Sequence, residues 1–371
     1  MPEQPGAPQS AAAHRRDDGS SADAVIRSAG PFTAIGGLVL VLVAGLALRE
    51  VASLLVPVLF GLLVALSAWP MVGTLERRGV RHAVALAATV VIVLAVGLVA
   101  ALVAALSVAE LVVEIPTYEA RLRATLAVLR DLVAQLPIDV DPDAITAIIS
   151  PERVFGLVTP VASAVSGAGG AMFILAFTMI YALAGGTSLG ARAAAAFGEQ
   201  HPLVRGMERF GTDLRRYLVV RAKLGLFAAA LSLALLLVLG VPFPVLWAIL
   251  VFAASFVPNI GSLIAVIPPT VLAYLDSGLG AAVLVVVGYA LINFAQDQLL
   301  QPVVMGSELN LSPLVVFIAV VVWAWILGPA GALLAVPLTV GLVMLLEAFP
   351  SSRRVAGLLR ARAEPQPETA S

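Results

Sequence analysis

The sequence has no cysteine, a single lysine (Lys223) and three histidines among its 371 residues. Without cysteine there is no disulfide framework, no thiolate nucleophile and no thiolate-held metal. The histidines, His14, His82 and His201, all fall in polar stretches and read as solvated loop residues rather than ligands or bases. Charge is scarce too: 12% of residues are charged, 60% are hydrophobic, and the net charge is −1. Soluble domains carry roughly 25% charged and about 45–50% apolar residues. At a mean hydropathy of +1.02 the chain has too little polar surface to meet water around one core. A soluble enzyme, a disordered protein and a secreted disulfide scaffold are excluded together. The small net charge gives no reason to expect a nucleic-acid partner. Neither HExxH nor GxxxxGK[ST] occurs, so no metal or nucleotide cofactor is implied and the chain reads as a non-enzyme. Its first partner is the lipid bilayer.

A helix needs about 20 apolar residues to cross the ~30 Å hydrocarbon layer. Apolar runs approaching or exceeding that length occupy 33–48, 51–69, 83–113, 156–184, 224–240, 243–275, 279–300 and 312–346. The expected fold is therefore all-α, a polytopic helical membrane protein with about eight hydrophobic segments. Broken or re-entrant helices are expected in its C-terminal half. The run 83–113 is longer than one span requires, so its end should project into water. Residues 1–30 are polar and rich in Pro, Ala, Ser and Asp, which predicts a disordered cytoplasmic tail. Residues 31–113 then form N-terminal membrane helices, 156–186 another, 224–349 a C-terminal membrane core, and 350–371 a second cytoplasmic tail. With the N-terminus placed inside, 17 of the 22 basic residues fall on cytoplasmic pieces. Basic residues accumulate on cytoplasmic loops, which predicts a multi-pass protein of the cell (inner) membrane with both termini in the cytoplasm.

Two polar insertions interrupt the apolar runs. In the external one, 114–155, residues Tyr118, Leu122, Leu126, Leu129, Val133 and Leu136 recur at steps of three and four. That spacing predicts an amphipathic helix packing as a cap. The internal one, 187–223, carries the stripe Leu203, Met207, Phe210, Leu214 and Tyr217, with Arg205, Arg209, Arg215 and Arg216 off it. This pattern predicts a basic amphipathic helix lying on the anionic leaflet.

The C-terminal half carries the more specific signal. Gly261-Ser262-Leu263-Ile264-Ala265-Val266, followed after Ile267 by Pro268-Pro269-Thr270-Val271, aligns with Gly331-Ala332-Leu333-Leu334-Ala335-Val336-Pro337-Leu338-Thr339-Val340. The shared pattern is G-[SA]-L-[IL]-A-V-P-[PL]-T-V. Each copy follows another hydrophobic segment, so 224–275 and 279–346 read as a duplicated unit of a helix plus a broken helix. Pro258, Asn259, Gly261 and Ser262 form the first break, and Gly328, Pro329 and Gly331 the second. Proline cannot donate to the helical ladder and glycine disfavours it. A break at membrane depth survives only against protein or a water-filled cavity. Paired Gly/Pro-interrupted segments of this kind point to a transporter's binding site, with these residues as hinges and substrate pathway. The repeat is parallel if both copies cross the membrane the same way, and an inverted repeat becomes available if one is re-entrant; both arrangements fit the sequence. Between the copies, Asn293, Asp297 and Gln301 share one helical face, with Gln296 beside them. Asp297 is the candidate intramembrane carboxylate, available for proton or cation coupling.

The run Phe256–Pro269, the stretch Gln301-Pro302-Val303-Val304-Met305-Gly306 with Leu311-Ser312-Pro313, and Gly328–Pro337 resemble the AI-2E family of bacterial membrane transporters. Ser262 stands where the family pattern often has proline, and Asp297 where it usually has glutamate. The resemblance implies a secondary transporter of the inner membrane, homo-oligomeric, exporting a small polar metabolite or signal such as the quorum-sensing autoinducer-2. Cation/proton antiport, known for some members of the family, and a non-transporting membrane scaffold are the alternatives.

Overall fold

The computed structural model describes residues 31–135, 168–258, 260–300, 312–348, 357 and 359. Every element among them is helical. The chain divides into two units at Ala52. The first contains α1 (Pro31–Glu50), a 20-residue helix with apolar side chains such as Val39, Leu40 and Val43 exposed.

The second unit begins with α2 (Ala52–Arg77) and α3 (His82–Ala134), joined by a tight turn at Gly79. It continues with α4 (Ala168–Phe197) and α5 (Pro202–Val238). Then come α6 (Pro244–Ala254), α7 (Gly261–Ser277) and α8 (Leu279–Phe294), the last running into a π-helical segment, Ala295–Leu300. The final pair is α9 (Pro313–Leu327) and α10 (Pro329–Ala348). Stretches within α2, α3, α5, the α8–π helix and α10 are long and apolar enough to cross a membrane, and α4, α6, α7 and α9 contain shorter apolar helices. Their outer faces carry exposed Val91, Val96, Leu106, Val238, Leu263 and Leu314. Such faces are stable against hydrocarbon and not against water.

Small residues set the packing. Ala65, Ala68 and Val72 of α2 form a core with Ala85 and Val90 of α3 and Met179 and Leu183 of α4. At Gly61 a β-carbon would meet Thr178 and the Leu175 carbonyl at 2.8 and 2.9 Å, so the missing side chain lets α2 and α4 approach closely. A second core joins α3, from Ala104 to Leu126, to α5, α6, α7 and α8.

Two expectations about the insertions change. Helix α3 runs unbroken for 53 residues, about 80 Å at 1.5 Å per residue. The external amphipathic stretch is thus the continuation of a span and not a separate helix. Its stripe residues Tyr118, Leu122 and Leu126 are buried against the α5–α8 core. The internal stretch is likewise part of a longer element, because α5 is one continuous helix from Pro202 to Val238. Its stripe is occupied inside the protein: Leu214 and Tyr217 are buried, with Phe210 beside them, against Val336 and Val340 of α10. That packing takes Phe210, Leu214 and Tyr217 inside the protein and leaves Met207 exposed, so this part of the stripe does not lie on lipid. The remaining expectations for 1–30, 136–167 and 349–371 lie outside the described residues, apart from Gly357 and Leu359. The string Gly186-Thr187-Ser188-Leu189-Gly190 spells GxSxG, but it falls inside α4 and not at the strand-to-helix turn that a nucleophile elbow requires.

Candidate functional site at the meeting of two hairpins

Both interrupted segments fold back on themselves. The two ends of the α6–α7 segment lie together, since Pro242–Val245 and Asp276 line the same cavity of about 660 Å³. The α9–α10 segment pairs antiparallel in the same way. Trp323 Nε1 donates to Thr339 Oγ1 at 3.2 Å, and Val320 packs with Ala335. Gly261 and Gly331, equivalent in the sequence repeat, do the same work in each hairpin. A β-carbon at Gly261 would collide with the carbonyl oxygen of Ala254, and one at Gly331 with that of Trp323. Only glycine lets the returning limb cross so close to the backbone of the first. Ala265 and Ala335, also equivalent, are both fully buried.

The hairpins enter from opposite ends. Helices α5 and α8 are antiparallel, because Gly288 faces Leu235, Tyr289 interacts with Ser232, and the charge of Arg221 reaches Asp297. The roots of α6–α7 lie at the end where α5 finishes and α8 begins. The α10 limb runs down the arginine-rich beginning of α5, with Gly206 against Met344 and Gly341 against Phe210. The tips meet between them: Val257 and Ile260 of the first hairpin pack with Trp323, Ala332 and Leu333 of the second. The duplicated unit is therefore inverted, and each of its broken segments is a helical hairpin.

The breaks differ from expectation in one respect. The N–H groups of Ser255, Phe256, Val257, Ile260 and Gly261 all donate to carbonyls within the tip, at 2.7–3.1 Å. The first tip is thus internally satisfied at those five donors, and they are not available to a passenger. Pro258 and Ser262 are half-buried there, and Asn259 lies outside the described residues. At the second tip Gly328 adopts φ 70°, Pro329 is exposed and begins α10, and the Gly331 N–H returns to the Gly328 carbonyl.

The polar face on α8 also changes. The buried stripe of α8 is Ala282, Val285, Tyr289 and Ile292, and its next step of four is Gln296, 7% exposed. Asn293 is half-buried and Asp297 is exposed, so the face they share is turned away from the core. From Ala295 the helix widens to a π-turn, which moves every later side chain around the axis; such turns recur at functional sites. Pro302, just beyond, has no N–H to return to the carbonyl of Gln298. Gln301 lies outside the described residues.

On α5, which runs antiparallel to α8, stands a further charged residue, Arg221, whose charge reaches Asp297 without a direct ion pair. Arg221 lies on the inward stripe of α5 between Tyr217 and Gly225. Its guanidinium sits 5.6 Å from the Tyr217 ring centre. Ser255 of the first tip lies against Gly225, and Phe256 packs by Leu214, Tyr217 and Leu218. Arg221 is thus flanked by the tip on both sides. Its Nε and the Oε1 of Gln296 are buried and have no hydrogen-bond partner among the described residues. An unsatisfied buried polar group costs about 1–3 kcal/mol, so two facing one region are a reason to look for a ligand. The signal in the sequence was an arginine within an otherwise apolar i, i+3/4 stripe.

The comparisons with known proteins decide the family. The family model described as AI-2E family transporter matches residues 37–351. The chain belongs to the AI-2E transporter family. It is 31% identical over 335 residues to "AI-2 transport protein TqsA" of Escherichia coli K12, covering 89% of this chain and 97% of that one. It is 28% identical over 319 residues to YhhT of the same organism, covering 86% and 91%. To the Mycobacterium tuberculosis protein MT0215 it is 31% identical over 302 residues, covering 78% and 81%. This AI-2E family member is a multi-pass helical membrane transporter.

Proposed function

We propose that the protein is a secondary transporter of the bacterial inner membrane, exporting a small polar metabolite or signal such as autoinducer-2 by alternating exposure of the hairpin tips. The observation that carries this reading is the inverted pair of helical hairpins meeting tip to tip beside Arg221, Gln296 and Asp297. A hairpin rooted at one end can rock without dragging a whole span, which suits alternating access. The name of TqsA supports the choice of cargo. The distribution of arginine supports cytoplasmic termini, and the lipid-compatible faces leave room for assembly with further copies. Pro258, Asn259, Gly261, Ser262, Gly328, Pro329 and Gly331 would form the hinges, and Asn293, Gln296, Asp297 and Gln301 the polar lining beside them.

The test is autoinducer-2 measured inside and outside cells with and without the protein, repeated in reconstituted vesicles. Retention inside cells lacking the protein is the expected outcome, with Pro258→Ala and Gly328→Ala slowing vesicle flux. Equal distribution in both cell types overturns the export reading. Antiport would instead depend on Asp297: pH-driven sodium exchange by the wild type, abolished by Asp297→Asn, would replace export by cation coupling.

A further inference from the structure

Resting on the reading of a polar cargo moved past the hairpin tips, we infer that Arg221 and Gln296 contact that cargo, and that Arg221 balances Asp297 so that the site takes an uncharged, hydrogen-bonding solute in preference to an ion. Arg221 sits in the stretch Val204–Val238 and Asp297 in Leu279–Leu300, both candidate membrane spans. The two form no direct ion pair, yet a lone charge in such a place is expensive, and an opposite charge on the adjoining helix offsets part of that cost. The tip residues next to Arg221, Ser255 and Phe256, are uncharged, as are Trp323, Ala332 and Leu333 at the meeting point. Arg215, six residues earlier, lies about 240° around α5 and faces elsewhere. Among the described residues of the tips named above, an arriving ion finds no further charge to neutralise its own.

A neutral solute meets no such penalty. The buried Nε–H of Arg221 needs an oxygen acceptor, and the buried Oε1 of Gln296 needs a donor. A molecule bearing a carbonyl or hydroxyl oxygen and an O–H group satisfies both at once, and hydrocarbon satisfies neither. The stacking of Arg221 on Tyr217 holds the guanidinium plane while one edge stays available. Gln296 is set by the continuous stripe Val285–Tyr289–Ile292 on the rigid part of α8.

The experiment is a double-mutant cycle on purified protein, read by autoinducer-2 flux in vesicles and by melting temperature. Gln296→Leu should lower flux about tenfold or more while the melting temperature holds or rises, because it removes an unsatisfied acceptor without opening a cavity. Arg221→Gln and Asp297→Asn should each cost flux and melting temperature, and Arg221→Gln/Asp297→Asn should recover part of both. Wild-type flux in Gln296→Leu, or a double variant whose losses are the sum of the singles, overturns the inference. If wild-type vesicles move no autoinducer-2, the cargo reading falls on its own. The charge balance is then judged by melting temperature alone: recovery in the double variant sustains it and the lack of recovery overturns it.

Discussion

The α9–α10 hairpin closes on itself, whereas the α6–α7 hairpin closes on its neighbours. In the second hairpin Trp323 bonds across the limbs to Thr339, and a single residue, Gly328, makes the turn. In the first, Trp247 lies near the root and spends its N–H locally: its Nε1 donates to the Pro242 carbonyl at 2.9 Å. Its limbs are separated by the longer turn 255–260, and α6 has only 11 residues. What holds its root is outside it. Arg121 of α3 donates to Asp276 at 2.8 Å, and Phe243, a bulky residue at φ 56°, starts α6 in a strained conformation. Two copies of one pattern thus differ in how independent they are. The first is the one whose position depends on contacts that can be exchanged, which makes it the better candidate for the moving part.

The largest expected effect tests what the copies share. Gly261→Ala and Gly331→Ala each push a β-carbon into a backbone carbonyl of the opposite limb, which no side-chain adjustment relieves. Overpacking of this kind costs about 1–3 kcal/mol or more. Both variants should lose folded yield and melting temperature; a stable Gly261→Ala beside an unfolded Gly331→Ala would mean that the first hairpin can open to accommodate the change. Next comes Thr339→Val, which leaves the Trp323 N–H unpaired in a half-buried place and should cost about 1 kcal/mol of stability. Thr270→Val, its counterpart in the first hairpin, should be nearly neutral, because Thr270 bonds to the Val266 carbonyl of its own helix and not across the limbs among the described residues. Equal melting temperatures for these two variants would erase the claimed difference in closure. The smallest expected change in stability is at Arg121→Ala. Its partner pair is 46% and 38% exposed, and such pairs contribute about 0–1 kcal/mol. Vesicle flux should nevertheless respond, through the freed root of α6–α7; an Arg121→Ala protein with wild-type flux at every salt concentration would remove the latch from the account.

Much of this was legible in the chain. The G-[SA]-L-[IL]-A-V-P pattern located both hairpin returns because a backbone crossing admits only glycine, and the need recurs wherever the crossing does. The stripe Tyr118–Leu122–Leu126 announced a buried face. Other readings failed for a common reason. The stripe Phe210–Leu214–Tyr217 reads the same whether it meets lipid or α10, since apolar periodicity records that a face is covered and not by what. The face Asn293–Asp297 is polar but turned away from the core, while Gln296 beside it continues the buried stripe of α8; polarity alone does not tell which of two neighbouring faces turns inward. Arg221 was counted as a topological marker because its inward direction is visible only once α8 lies against α5.

Membrane residence, the helical class, the number of apolar segments and the places where they break follow from composition and local order. They do so because burial in hydrocarbon and the loss of a helical hydrogen bond are properties of each stretch of chain. That the breaks turn back on themselves, that they enter from opposite ends, and that the charge of Arg221 comes to reach Asp297 were decided only by tertiary packing. Those facts depend on which distant surfaces meet, and no local pattern of residues specifies its partner.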